Sequence, residues 1–255
     1  MKNPALLCIC LVLCAFAGGC SVGASAQLGY TQMAVSGDLG LTTGALGVPS
    51  SAHQDIESAF GLGDPQGSPY VRAQTDLGFA VLTGSGFLFS EKGTGRLDAD
   101  FGGISAGTPV ESSLDFANAK VSMSFDFGIG PVKVSPGLAV DVFDVNFRAR
   151  ETSFGNTEEV DQVLFVPLLF LRAEADLAGV KGIAEVGYLK TPEVDNAEAE
   201  VLDLELLAEV QVVSNLSAFV GYRLIDLQGK GDSDGDSFDI DLQVSGWMIG
   251  GVLRF

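Results

Sequence analysis

The sequence predicts an all-β chain: a transmembrane, antiparallel, up-and-down β-barrel of about ten strands, with eight and twelve as the neighbouring even counts. Three observations predict it. Near the C-terminus apolar residues occupy every second position (Phe238, Ile240, Leu242, Val244) opposite Asp239, Asp241, Gln243 and Ser245, the period-two pattern of a strand that is wet on one face only. The chain is 47% hydrophobic with a mean hydropathy of +0.32, yet past the N-terminal leader no apolar run approaches the ~18 residues of a membrane helix. The longest, 163–171, has nine. Finally, very short turns alternate with longer polar loops, as they do in barrels with periplasmic turns and extracellular loops.

The N-terminus comes first. Lys2, an apolar stretch from Ala5 to Phe16 and the small residues after it read as a secretory signal. Two cleavage sites fit. Ala24-Ser25-Ala26 satisfies the small-x-small rule and makes 1–26 the leader, whereas Ala17-Gly18-Gly19-Cys20 resembles a lipobox, makes 1–19 the leader and puts a lipid on Cys20. The barrel domain is expected over 27–255. Cys8, Cys10 and Cys14 leave with the leader by either route, so no disulfide is expected in the mature chain.

Residues 27–46 alternate and form the first strand; 47–68, with Pro49, His53 and Pro65, is a loop, a short extra strand or a segment folded into the barrel mouth. Strands 69–77 and 78–91 follow with almost no turn, then a Gly/Asp loop over 92–108. Strands 110–127 and 132–150 flank the turn Gly128-Ile129-Gly130-Pro131 and lead to the polar loop 151–161. Strands 162–177 and 183–191 flank 178–182, and 192–196 connects onward. Strands 198–213 and 216–228 meet at Ser214-Asn215, and 229–235 leads into the last strand. Past Gly246 the apolar phase shifts to Trp247, Ile249, Gly251, Leu253 and Phe255, which predicts a bulge near Ser245–Gly246. An even strand count lets a chain that enters from the periplasm end there too.

Charges at the bilayer midplane are costly on a lipid face, so the polar face of each strand is assigned to the lumen. That places Arg72, Arg148, Arg172 and Arg223 inside with Asp141, Asp144, Glu174, Glu185, Asp203, Glu205 and Glu209. About ten strands enclose little more than side chains, so these groups are expected to pair and obstruct the path. With carboxylates in excess, any leak should favour cations.

Other chemistry is sparse. His53, near Ser50, Ser51 and Asp55, is the sole histidine, so a hydrolytic site would have to be built on it at the barrel mouth. No phosphate loop, zinc cluster or nucleophile elbow is present. Asp232, Asp234 and Asp236 stand at alternate positions, a spacing calcium loops use, without the bidentate Glu or the twelve-residue frame of an EF-hand. Calcium is therefore the one cofactor with a candidate site. The formal charge of −19, one unit lower once Lys2 departs with the leader, excludes nucleic acid as a partner.

The chain ends on Phe255 with no tail, and Gly250-x-x-Leu253-x-Phe255 resembles the C-terminal signal of bacterial outer-membrane barrels, with Met248 where that signal usually has a polar residue. Together with the alternation and short turns, this resembles the small outer-membrane β-barrels of Gram-negative bacteria, the broad class that includes the outer-membrane protein A transmembrane domain. The resemblance implies an outer-membrane location, with membrane lipid and the barrel assembly machinery as partners. The expected function is a non-enzymatic structural barrel or narrow pore; the alternatives are a hydrolase using His53 and a surface binding protein or adhesin with acidic loops.

Overall fold

Ten long strands close into one antiparallel ring in the computed structural model, which describes residues 23–42, 53–192, 198–233 and 236–255. The elements are β1 (Gly23–Thr42), β2 (Gln54–Asp55), α1 (Ile56–Phe60), β3 (Gln66–Asp76), β4 (Val81–Arg96), β5 (Pro109–Ser124), β6 (Phe127–Ile129), β7 (Val132–Glu151), β8 (Thr157–Leu177), β9 (Val180–Lys190), β10 (Glu198–Val213), β11 (Leu216–Ser233) and β12 (Asp236–Arg254). Each long strand pairs with its sequence neighbour, and β12 returns to pair with β1, so the sheet joins its own first strand. The two-residue β2 and three-residue β6 are appendages of β1 and β7. Closure has a physical cause: hydrocarbon offers nothing to unpaired N–H and C=O groups.

The ring is staggered. Following cross-strand partners from Gly29 through Tyr70, Phe87, Asn118 and Phe143 leads to Leu164 on β8, and following them the other way through Gly250, Phe219, Glu209 and Lys181 leads to Asp176, twelve residues further along. Such a shear requires the strands to tilt against the barrel axis.

The expected bulge at Ser245–Gly246 is absent. Pairing of β12 with β1 runs unbroken from Ser25↔Arg254 to Thr42↔Ser237, and with β11 from Leu216↔Leu253 to Ser233↔Asp236. Leu242, Val244, Met248 and Val252 all face inward, while Trp247, Ile249 and Leu253 face out. The apolar phase changes because the surroundings change, and the backbone does not. β5 shows the same inversion. Its inward face reads Val110, Ser112, Leu114, Phe116, then Asn118, Lys120, Ser122, Ser124; its outward face reads Glu111, Ser113, Asp115, then Ala117, Ala119, Val121, Met123. The half of the barrel towards the chain termini is apolar outside and polar inside, and the opposite half is polar outside and apolar inside, the pattern of a barrel whose outer face meets lipid over the first half only.

That upper core is built on residues 53–64, which take the mouth-plugging option among the three left open by the sequence. β3 begins only at Gln66, opposite Met33, so β1 lacks a β3 neighbour above that point. β2 fills part of the gap through Asp38↔Asp55 and Leu39↔Gln54. Asp55 caps α1, accepting from the Ser58 N–H at 2.7 Å and the Ser58 hydroxyl at 2.8 Å, which holds its carboxyl below the usual range. Gly61 ends the helix at φ 67°, a left-handed conformation that favours glycine. Ile56, Ala59, Phe60 and Leu62 are buried. The Phe60 ring meets Phe101 at 5.2 Å and Phe147 at 4.9 Å, both edge-on. Glu91 of β4 accepts the Gly63 and Asp64 N–H groups at 2.8 Å each, and Gln54 accepts from the Asp98 N–H at 3.0 Å. On β4, Gly93 and Gly95 let the backbone of α1 dock against the wall, since a Cβ at either would strike the Gly61 or Ala59 carbonyl oxygen.

Candidate functional site

Below the plug the lumen is crossed by a buried layer of charge. Strand alternation aims Tyr70 and Arg72 (β3), Lys120 (β5), Asp141 (β7), Arg172 (β8), Glu185 (β9), Asp203 and Glu205 (β10) and Arg223 (β11) at the axis, and all are buried. Arg72 bridges Glu185 through both terminal nitrogens and Glu205 at 2.6 Å. Arg223 grips Asp203 with Nε at 3.1 Å and Nη2 at 2.7 Å, the forked geometry guanidinium suits, and lies 3.6 Å from Glu205. Lys120 Nζ sits 3.0 Å from Asp203, 3.7 Å from Glu185 and 3.8 Å from Glu205. The Tyr70 hydroxyl donates to Glu205 at 2.9 Å. Arg172 reaches Glu174, Gln74 at 2.9 Å and Thr83 at 3.2 Å, and lies 3.4 Å from Glu185.

Two further pairs flank the layer on the periplasmic side. Lys181 contacts Glu174 at 2.6 Å, and Arg254 contacts Glu209, which also accepts from Gln27 at 2.8 Å. Above it the lumen turns aromatic: Arg223 lies 5.3 Å from the Phe87 ring centre and Lys120 5.9 Å from that of Phe170. Nearby, Asp141 sits against Asp203, Lys120 and Arg223, and both polar atoms of the Asn118 amide lack a hydrogen-bond partner among the described residues.

Nine of the eleven charged residues assigned to the lumen from sequence face it: Arg72, Asp141, Arg172, Glu174, Glu185, Asp203, Glu205, Glu209 and Arg223. Two do not. Arg148 is on the outer face above the membrane, paired with Glu159 at 2.8 Å, with side-chain exposures of 51% and 41%. Asp144 shares that outer face, because it stands three residues from the inward Asp141 and alternation puts it on the opposite side. Lys120 was missed. It shares a parity with Val110, Leu114 and Phe116, which look like a lipid face when the inversion halfway up the strand is unknown. With Lys120, Lys181 and Arg254 counted, the charged layer and its two flanking pairs hold six cations against six carboxylates, so the carboxylate excess on which cation preference rested is absent from this layer.

His53 Nε2 lies 3.2 Å from Asp239 Oδ2, both about half exposed, on the rim of a mouth crevice of about 250 Å³ that Lys190, Glu198, Glu200 and Asp241 also line. Ser50 and Ser51 lie outside the described residues, as do the Ala17-Gly18-Gly19-Cys20 motif and the side chains of Asp232, Asp234 and Asp236, whereas Ala24-Ser25-Ala26 lies within β1. β1 is already paired at Gly23, four residues before the Gln27 boundary. At the other end the Phe255 N–H donates to the Ala24 carbonyl at 2.8 Å, and Leu253 and Phe255 face outward while Gly250 packs against the Leu28 carbonyl and Phe219.

No protein-family model and no curated protein matches the chain by sequence. Solved structures do match by shape. The outer-membrane protease OmpT of Escherichia coli superposes with a TM-score of 0.63 at 9% identity, covering 93% of this chain and 99% of that one. The attachment invasion locus protein Ail of Yersinia pestis gives 0.40 at 12% identity over 92% and 100%, and the translocator domain of the autotransporter NalP of Neisseria meningitidis 0.41 at 13% over 99% and 95%. At these identities the likeness concerns fold alone. The chain is a closed ten-stranded barrel of the bacterial outer-membrane type, and its girdle of exposed apolar side chains is the lipid-facing surface of such a barrel.

Proposed function

We propose that this barrel is a non-enzymatic, structural component of the outer membrane, closed to solutes by two seals in series. The observation that carries the reading is that buried side chains occupy the lumen at two successive levels. Residues 53–64 and their aromatic partners pack the extracellular half, and the balanced charge layer spans the periplasmic half. Opposite charges in a partly dehydrated space attract more strongly than in water, so parting them for a passing solute is costly. The purified protein in planar bilayers should therefore show no steady conductance. Stable step currents at low voltage would refute the closed barrel and indicate a pore.

One observation favours a second reading, hydrolysis: a His–Asp pair stands beside an open crevice, and a carboxylate that orients an imidazole is part of many general-base arrangements. Against it, the flanking Lys190 and Lys230 are engaged with Glu200 and Glu198, and Thr191, the one hydroxyl among the described residues lining the crevice, is bonded to the Ala199 backbone. His53→Ala separates the two readings. A structural barrel keeps its assembly and stability unchanged, whereas a histidine-dependent hydrolase loses whatever peptide- or ester-cleaving activity the parent shows.

A further inference from the structure

The barrel wall has a break on its extracellular side. β8 pairs with β7 along nearly its whole length, from Thr157↔Arg150 to Ala175↔Val132, but with β9 only from Leu169↔Tyr188 downward. The stop coincides with the end of β9 and with two prolines. Pro167 has no N–H to give a ladder, and Pro192 follows the end of β9 at Lys190. Above Leu169, no described residue pairs with the β9 side of 157–168.

Side-chain exposure agrees. Residues 161–165 are exposed at five consecutive positions, so both faces of the strand are open: Val163 is 53% exposed, Leu164 42% and Phe165 71%. Lipid does not account for all of it. Val163 stands opposite Asp144, where the outer face of β7 has already turned polar, and Leu164 points to the lumen side.

We propose that residues 157–166 of β8 form a docking edge for an extended basic peptide, which adds to the barrel rim as an antiparallel strand. An open strand edge presents a row of unsatisfied N–H and C=O groups, and strand addition supplies their partners. The side chains on the edge set the chemistry of the occupant. Towards the membrane the edge offers Val163, Leu164, Phe165 and Val166 on its two faces; towards the tip it offers the Asp161 carboxylate, next to Glu159, which is paired with Arg148, and Glu158, which accepts from the Gly103 N–H. β8 runs towards the periplasm, so an antiparallel occupant runs away from it. Its N-terminal half is apolar and its C-terminal half basic. The acidic charge of the whole chain draws such a peptide in. This edge lies apart from the sealed lumen, so it stands or falls independently of the closed-barrel reading.

Hydrogen exchange on the full chain in lipid nanodiscs tests it, using a decapeptide with Val and Ile in its first half and alternating Lys and Thr in its second. In the free protein, amides within 157–166 that face away from β7 should exchange rapidly, and the peptide should slow them by about tenfold or more. The same peptide N-methylated at alternate residues should give no protection, because it cannot complete a ladder. Three outcomes overturn the proposal. Slow exchange in the free protein means that the edge is already covered by the chain's own 192–197 connection. Equal protection by the methylated peptide means surface adsorption. No protection at millimolar peptide means that the edge takes no strand.

Discussion

Replacing Arg72 with Met should destabilise the folded barrel by ~3–5 kcal/mol, the usual cost of removing one partner from a buried ion pair. Arg72 is fully buried and serves two carboxylates, Glu185 and Glu205. Methionine fills much of the same volume, so the loss is mainly electrostatic: the sealed layer is left with one uncompensated negative charge. Adding Glu185→Gln restores the balance, and the double variant should recover most of the loss, giving a coupling energy well outside additivity. Denaturant unfolding from detergent micelles reads both. A single variant within ~1 kcal/mol of the parent, the range of solvent-exposed pairs, would mean that water reaches the layer and that it is not a seal.

Phe60→Ala should cost a similar ~3–5 kcal/mol, because it leaves a cavity in a packed core. Phe60 is the centre of the plug, touching Phe101 and Phe147 and fixed from behind by the α1 backbone against Gly93 and Gly95. The loss should be local. Amides of 56–64 should exchange faster while those of β5, β10 and β11 at the charged layer keep their protection. Bilayer recordings of this variant should still show no steady current, since the lower seal is intact. Conductance from Phe60→Ala alone would place the whole barrier in the plug and remove the role given to the charge layer.

Much of the fold is legible in the sequence, and for a simple reason. Alternation along 198–213 survives because Leu202, Leu204 and Leu206 meet lipid while Asp203, Glu205 and Glu209 meet the lumen, and β10 is found over those same residues. The turns at 178–179 and 214–215 leave the chain nowhere to go but back along itself. The site is less legible. Arg72, Arg172, Arg223 and their carboxylates follow from parity within single strands, but Lys120 is missed and Asp144 and Arg148 are misplaced when each strand is taken to have one apolar face throughout.

What the sequence determines by itself is the period-two pattern, the even ring of about ten strands, the aromatic terminus and the kinds of charge that must be hidden. These are local properties, set by which side chains alternate and where turns are short. The tertiary structure alone decides which face is inside at each height. Val110, Leu114 and Phe116 look lipid-facing until residues 53–64 fold back into the mouth and give them a core to join; past Phe116 the same parity carries Asn118 and Lys120 into the charge layer. A side chain's parity is fixed by the backbone, but whether that parity meets lipid, water, a plug or another charge depends on segments far away in the chain.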